Sequence, residues 1–521
     1  MKRRDFVKIT GAAAATPLLL NGLSVSANGS PVLKEITNED NDKILVLIFL
    51  NGGNDGLNTV LPLDKYSTLS QARQNLLIPE NTALKLRDDL GLHPILTGLK
   101  EMWDDEKLGV IQNVAYPNQN FSHFRSTDIW NSASDADKFE TSGWLGRWLA
   151  DKHPNYPEEY PNTNSPDPLS LTIGSLVSQT CQGPVYNMGL AMNSTNLYEL
   201  QAGRSDTPPD GYVGQELEFV RTVIDQTMQY TDTLQSAVDN GRTSSQKWPE
   251  TGVNRLADQM KLITQLISGG LKTKVYVCQI TGFDTHANQI ETEGETTTGF
   301  HAQLISNVSE AIRAFQDEIK IMGMEDKVLG MTFSEFGRRI ISNDSMGTDH
   351  GSAAPMFVWG SKVNPMIHGT NPEIPSGATA QDNLEMEFDF RSVYWSILKD
   401  WFEVDDSKLT EILFKEFPYI PIIEGVSSAS EVRNSGHDLR VLGNYPNPVI
   451  STSNLNFYTI ASPLRITMID NSGREIVLLE KQFSTGEHSI PLDLSSFRNG
   501  NYFIRLENNK SKVIHKVMVA K

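Results

Sequence analysis

Several short stretches of this sequence carry residue types suited to holding a cation and steadying a developing anion. They are Asn51-Gly52-Gly53-Asn54-Asp55-Gly56, Ser122-His123-Phe124-Arg125-Ser126, Gly282-Phe283-Asp284-Thr285-His286, and Ser334-Glu335-Phe336-Gly337-Arg338 with Thr348-Asp349-His350-Gly351. Carboxylates and imidazoles are common ligands of divalent metals, and Asp349-His350 offers one of each side by side. Asp284 and His286 are two apart, so an extended segment points both the same way. Ser122 stands where a helix begins. Its hydroxyl there either caps a free backbone N–H or acts as a nucleophile in a field that favours a developing anion. Arg338 offers a planar fork able to steady such an anion through two contacts. Each stretch alone also reads as an ordinary polar loop; their recurrence argues for one site.

Each stretch follows an apolar run. Lys43 to Leu50 (KILVLIFL), Leu108 to Ala115, Val275 to Ile280 and the run from Lys327 are rich in strand formers, and Ala354 to Gly360 supplies another. Continuous apolar runs fit strands buried on both faces, as in parallel sheets. Chemistry at strand ends is the habit of α/β folds. Helical periodicity appears at Val213, Leu217, Val220, Ile224 and Met228, at Leu256, Met260, Ile263 and Ile267, and at Leu304, Val308, Ile312, Phe315 and Ile319, with a further helix near Phe390 to Phe402. The strand at Val275, the helix through Leu304 and the strand from Lys327 make a βαβ unit. Residues 151–212, rich in Pro, Asn, Ser and Asp, read as long irregular connections. The glycine loop at 51–58 lacks the lysine and the spacing of a nucleotide loop. The expected fold is α/β, a doubly wound and mostly parallel sheet, followed by a small C-terminal β-sandwich.

A length of 521 residues implies more than one domain. A net charge of −19 argues against nucleic acid or anionic membrane as the main partner, and no run reaches the length of a membrane span. Lys2-Arg3-Arg4-Asp5-Phe6 before a mildly apolar run ending Val25-Ser26-Ala27 reads as an export signal, of twin-arginine or ordinary secretory type. The division expected is 1–27 signal, 28–425 α/β domain, 426–440 serine-rich linker and 441–521 sandwich. Cys181 and Cys278 lie far apart, and whether they pair is not set by sequence.

Two resemblances follow. Leu442-Gly443-Asn444-Tyr445-Pro446-Asn447-Pro448 and Asn499-Gly500-Asn501-Tyr502-Phe503 resemble the C-terminal sorting domain of the Bacteroidetes type IX secretion system, implying a partner in the secretion machinery and passage through the periplasm to the medium or cell surface. The body's motifs, from Phe49-Leu50-Asn51-Gly52-Gly53 through Thr348-Asp349-His350-Gly351, resemble the bacterial "domain of unknown function fifteen-oh-one" family, itself distantly similar to the alkaline phosphatase and sulfatase superfamily. That resemblance implies metal-dependent hydrolysis of phosphate or sulfate esters. Asp55, Asp284, His286, Asp349 and His350 are then the metal ligands, Ser122 the nucleophile and Arg338 the anion contact. There are two departures. The superfamily's Asp-His pair is more widely spaced than Asp284-Thr285-His286, and no final histidine motif follows, His368 lying in a proline-rich loop. Either His123 or Glu335 fills the gap, or one ion binds rather than two; Zn, Mg, Mn and Ca all remain open. The substrate class is a small anionic ester or a glycan. The rival reading is a cell-surface binding protein that keeps the fold without catalysis.

Overall fold

The structure, a computed structural model, describes residues 42–192, 230–424 and 439–519, except for 293, 446–448, 470–473 and 509–511, together with the short strands Leu18–Leu20 and Leu23–Val25. Apart from those two short strands, the export signal lies outside the described residues, as does the helix expected over Val213 to Met228. The chain forms two compact units, Met1–Glu424 and Gly425–Lys521.

The strands of the first unit that matter here are β1 (Ile44–Asn51), β2 (Leu108–Ala115), β3 (Ser170–Ile173), β4 (Leu190–Met192), β5 (Val275–Thr281), β6 (Val328–Phe333), β7 (Arg338–Ser342), β8 (Thr348–His350), β9 (Ala354–Trp359), β10 (Ile367–His368) and β11 (Phe388–Asp389). One nine-stranded sheet runs β10-β2-β9-β6-β1-β5-β3-β4, with β11 also on β2. All its strands run the same way except β9, which is antiparallel to both β6 and β2. The sheet is therefore mixed but mostly parallel. The apolar run of β1 has a direct physical reason. Leu45, Leu47 and Phe49 point into one core with Trp130, Trp144 and Phe390, while Ile44, Val46, Ile48 and Leu50 point into the other with Met260, Ile263 and Ile312. A strand sandwiched between two helix layers has no face to give to water.

The helices obey the same division. α1 (Thr97–Asp104), α4 (Arg255–Ser268) and α5 (Phe300–Ile321) cover one face; α2 (His123–Ser132), α3 (Trp144–Lys152) and α6 (Phe390–Ser396) cover the other. α6 continues as a π-helical turn over Ile397–Trp401. Two expectations need correction. The stretch 151–212 holds the short parallel strands β3 and β4, whose polar neighbours gave no apolar run to read. The polar segment after β6 is a two-stranded ladder, β7 with β8, rather than an open loop. Among the described residues no helix is long and apolar enough to cross a membrane.

The second unit has two antiparallel sheets. Leu439–Tyr445, Thr452–Thr459 and Gly486–Asp493 form one; Ser462–Ile469, Glu475–Phe483, Gly500–Glu507 and Lys512–Val519 form the other. Leu455, Phe457, Leu464, Ile466, Ile504 and Val517 bury its own core, giving the small sandwich. Because each unit has its own core, a chain ending at Glu424 should keep the thermal transition of the first unit unchanged, checked by calorimetry against full-length protein.

Burial also sets an acid limit. His301 and His368 are buried in the first unit, and burial pushes both from the usual 6.5 down to about 4. An unfolded chain takes up protons near 6.5 that the folded one refuses. Stability intact above about 6.5 is therefore lost as pH falls toward 4, on the order of 3 kcal/mol for each group. The urea midpoint should fall between pH 7 and pH 5. His368→Leu, which also removes a buried Nε2 without a hydrogen-bond partner, should lessen that fall.

Candidate functional site

The strand-end stretches meet. β1, β5, β6 and β2 deliver their carboxyl ends to one edge of the sheet, and the segments that follow carry the polar residues. The approach is so close that Gly52 has no room for a side chain: a Cβ would stand 2.4 Å from Asp284 N, and its φ of +123° suits glycine alone. Gly347 is as tight, with the backbone of His286 2.3 Å from where a Cβ would be.

At the centre, His123, Asp284 and His350 each bring one ligating atom within 4.8 Å of the others. The partners behind each ring fix its tautomer. His123 Nδ1 lies 2.8 Å from Glu335 Oε1, His350 Nδ1 lies 2.7 Å from Phe121 O, and His286 Nδ1 lies 2.9 Å from Asp349 Oδ1. All three partners can only accept, so each Nδ1 carries the proton and each neutral ring turns a bare Nε2 forward. Those atoms converge. His286 Nε2 is 2.9 Å from His350 Nε2 and 3.1 Å from Asp284 Oδ1; His350 Nε2 is 3.2 Å from the same oxygen; His123 Nε2 is 3.4 Å from Asp284 Oδ2.

Lone pairs facing one another repel unless a cation lies among them. Edges of a tetrahedron built on zinc bonds of 2.0–2.1 Å are about 3.3 Å, close to these separations. The buried His123 Nε2 has no hydrogen-bond partner in the protein. The residues present therefore fit a divalent metal. Burial disfavours the Asp284 carboxylate, yet the hydrogen bond from Arg338 and its positive charge overcome it and hold the carboxyl at about 2. The hydrogen bond to Glu335 raises the pKa of His123, whereas burial lowers that of His350.

Several expected roles change. Asp55 is not in this cluster. Its side chain is 1% exposed, both oxygens lie 2.8–2.9 Å from Arg73 Nη1, and Gln289 Nε2 adds a bond of 2.6 Å. Against the cost of burial, Arg73 keeps Asp55 ionised. Asp349 orients His286 from behind instead of facing the centre; Glu335 does the same for His123 and also accepts from Gly52 N at 2.9 Å. Arg338 has no exposed side chain with which to grip a substrate. Nε donates to Gly53 O at 2.7 Å, Nη1 to Thr348 O at 2.8 Å, and Nη2 to Gly52 O, to Phe283 O at 3.0 Å and to Asp284 Oδ1 at 2.8 Å. It staples the glycine turn at Gly52-Gly53 to the two segments that bear Asp284, His286 and His350. Arg338→Met should cost at least about 3 kcal/mol, since it strands four carbonyls and a carboxylate, and Arg338→Lys should recover only part; denaturant titration of the first unit reads both.

Ser122 is exposed at the N-cap position of α2, with φ −85° and ψ 125°. Its side chain makes no capping bond, so its hydroxyl is unspent. Both of its neighbours serve the centre, Phe121 through its carbonyl and His123 through its ring. Sequence gave no signal for Arg73, Gln289 or the Phe121 carbonyl, because their roles exist only through tertiary contact.

The family described as "Protein of unknown function (DUF1501)" matches residues 103–413, and the secretion system C-terminal sorting domain matches residues 444–520. None of the curated proteins matches this sequence. Similar solved structures include a protein in the alkaline phosphatase superfamily from Vibrio parahaemolyticus, 10% identical, covering 92% of this chain and 91% of that one at a TM-score of 0.31. A sulfatase from Pseudoalteromonas sp. is 9% identical over 89% of this chain and 86% of that one, TM-score 0.31. The alkaline phosphatase of the Antarctic bacterium TAB5 is 10% identical over 63% of this chain and 95% of that one, TM-score 0.27. Overlaps this loose say nothing about the site.

Proposed function

We propose that this chain, which belongs to the DUF1501 family, is an exported, metal-dependent hydrolase of phosphate or sulfate esters. One observation carries the reading: ligating atoms of His123, Asp284 and His350 gather within 4.8 Å, with His286 Nε2 2.9 Å from His350 Nε2 and 3.1 Å from Asp284, beside an exposed serine with an unspent hydroxyl. Those four side chains would hold the ion. A divalent cation there supplies positive charge to an ester oxygen and makes a neighbouring hydroxyl easier to ionise.

The chain's own residues do the rest. Glu335, Asp349 and the Phe121 carbonyl fix the ring orientations; partners of this kind, when removed, typically cost about 10–100-fold in metal affinity. Arg338 keeps Asp284 charged and in place. Ser122, at the positive end of α2, is the nucleophile in this reading: its oxygen bonds to phosphorus or sulfur as the ester's alkoxide leaves, its proton passes to solvent, and water then releases the bound group. The sorting domain at 444–520 supports engagement with the secretion machinery and action outside the cell, after periplasmic transit directed by the N-terminal signal. A small anionic ester or an esterified glycan suits such a location.

The test is hydrolysis of p-nitrophenyl phosphate and p-nitrophenyl sulfate by purified protein, before chelation, after it, and after zinc is restored. Turnover of at least one ester should vanish with the metal and return with it. Metal-loaded protein that turns over neither would end the hydrolase reading and leave a cation-binding surface protein.

A further inference from the structure

We infer that the centre holds one divalent ion per chain, of the zinc class, and that the Arg73 guanidinium is the fixed cation serving Asp55 in place of a second ion. The inference rests on the metal-centre reading above. Asp55 sits just past the end of β1, a carboxylate at the same sheet edge as Asp284, and a second ion would need it. Neither of its oxygens is available. Arg73 Nη1 spans both, Gln289 takes one again, and the pair is 0% and 1% exposed.

The guanidinium is itself locked. Nε donates to Ile340 O at 3.0 Å, Nη2 to Arg339 O at 2.6 Å and Nη1 also to Asn58 Oδ1 at 3.2 Å. An incoming metal would have to displace a desolvated charge that holds three further hydrogen bonds. Glu335 is likewise committed, to Gly52 N and His123, and Asp349 Oδ1 to His286 and Asn343. Among the described residues one group alone, His123, Asp284 and His350, gathers three metal-ligating side chains within 4.8 Å, and His286 Nε2 stands beside it, 2.9 Å from His350 Nε2.

Charge points the same way. Asp55 pairs with Arg73 and Asp284 with Arg338, which leaves Glu335 and Asp349 behind His123 and His286, so one dication balances those two carboxylates when the imidazoles are neutral. A second would leave excess positive charge in a partly buried site. The donor set selects the ion class. Three imidazole nitrogens with one carboxylate suit zinc and its neighbours, whereas magnesium and calcium take oxygen ligands almost throughout.

Metal content decides it without reference to turnover. Full-length protein is saturated with zinc, desalted and analysed by native mass spectrometry and elemental analysis, then challenged with millimolar magnesium and calcium. One zinc per chain, undisplaced, is expected. Asp55→Asn should keep that zinc while melting lower, and His350→Ala should lose it. Two ions per wild-type chain, displacement by magnesium or calcium, or loss of an ion in a folded Asp55→Asn protein overturns the inference. Retention of no zinc at all by wild-type protein overturns the metal centre itself. Should Asp55→Asn not fold, the wild-type count alone is decisive.

Discussion

His350→Ala should empty the centre, lowering zinc affinity by well over the roughly 100-fold that losing an outer partner costs, and taking hydrolysis with it. The ring does two jobs. Its Nε2 is one of the converging donors, 3.2 Å from Asp284 and 2.9 Å from His286 Nε2, and its Nδ1 ties the centre to Phe121 just before α2. Alanine deletes a ligand and leaves a space that no described neighbour fills with a nitrogen. The fold should survive, because the ring is partly exposed and belongs to none of the apolar cores. Glu335→Gln makes the informative comparison. It keeps size and an acceptor but loses charge behind His123, so its effect should stay within about 10–100-fold. Competition against a chromogenic chelator measures both. A His350→Ala protein that keeps wild-type zinc affinity would remove the imidazole cluster as the metal site.

Much of this arrangement is legible in the sequence, and the boundary of what is legible is physical. β1, β2, β5 and β6 announced themselves because both faces of each are covered, which leaves no polar alternation to confuse the signal. The residues just beyond them could be nominated by type, and Asp284, His286 and His350 do meet. What sequence cannot express is which way a carboxylate is already spoken for. Asp55 and Asp349 look alike as acids beside strand ends, yet one faces a guanidinium and the other the back of an imidazole. Arg73 lies 18 positions from Asp55 at the end of a short helix, with no motif around it. Arg338 shows the same limit from the other side. Its type suggested a grip on substrate, and only its burial among five oxygen partners reveals a staple. By sequence His123 is one of two candidates to fill a gap in the ligand set; the bare Nε2 beside Asp284 moves it to the front.

Ser122→Asn should lower turnover by orders of magnitude while leaving zinc content and melting temperature within error. Asparagine caps helices about as well as serine, so any capping contribution changes by only a few tenths of a kcal/mol. The side chain makes no capping bond to lose in any case. An amide cannot form the covalent phosphoryl or sulfuryl intermediate that a serine oxygen can, so catalysis through Ser122 would collapse. Asparagine is bulkier than serine, but the position is exposed, and unchanged zinc binding would show that His123 and the Phe121 carbonyl have kept their places. Near-normal turnover in that protein would take the attack away from the chain altogether and assign it to water, with Ser122 reduced to the residue that starts a helix.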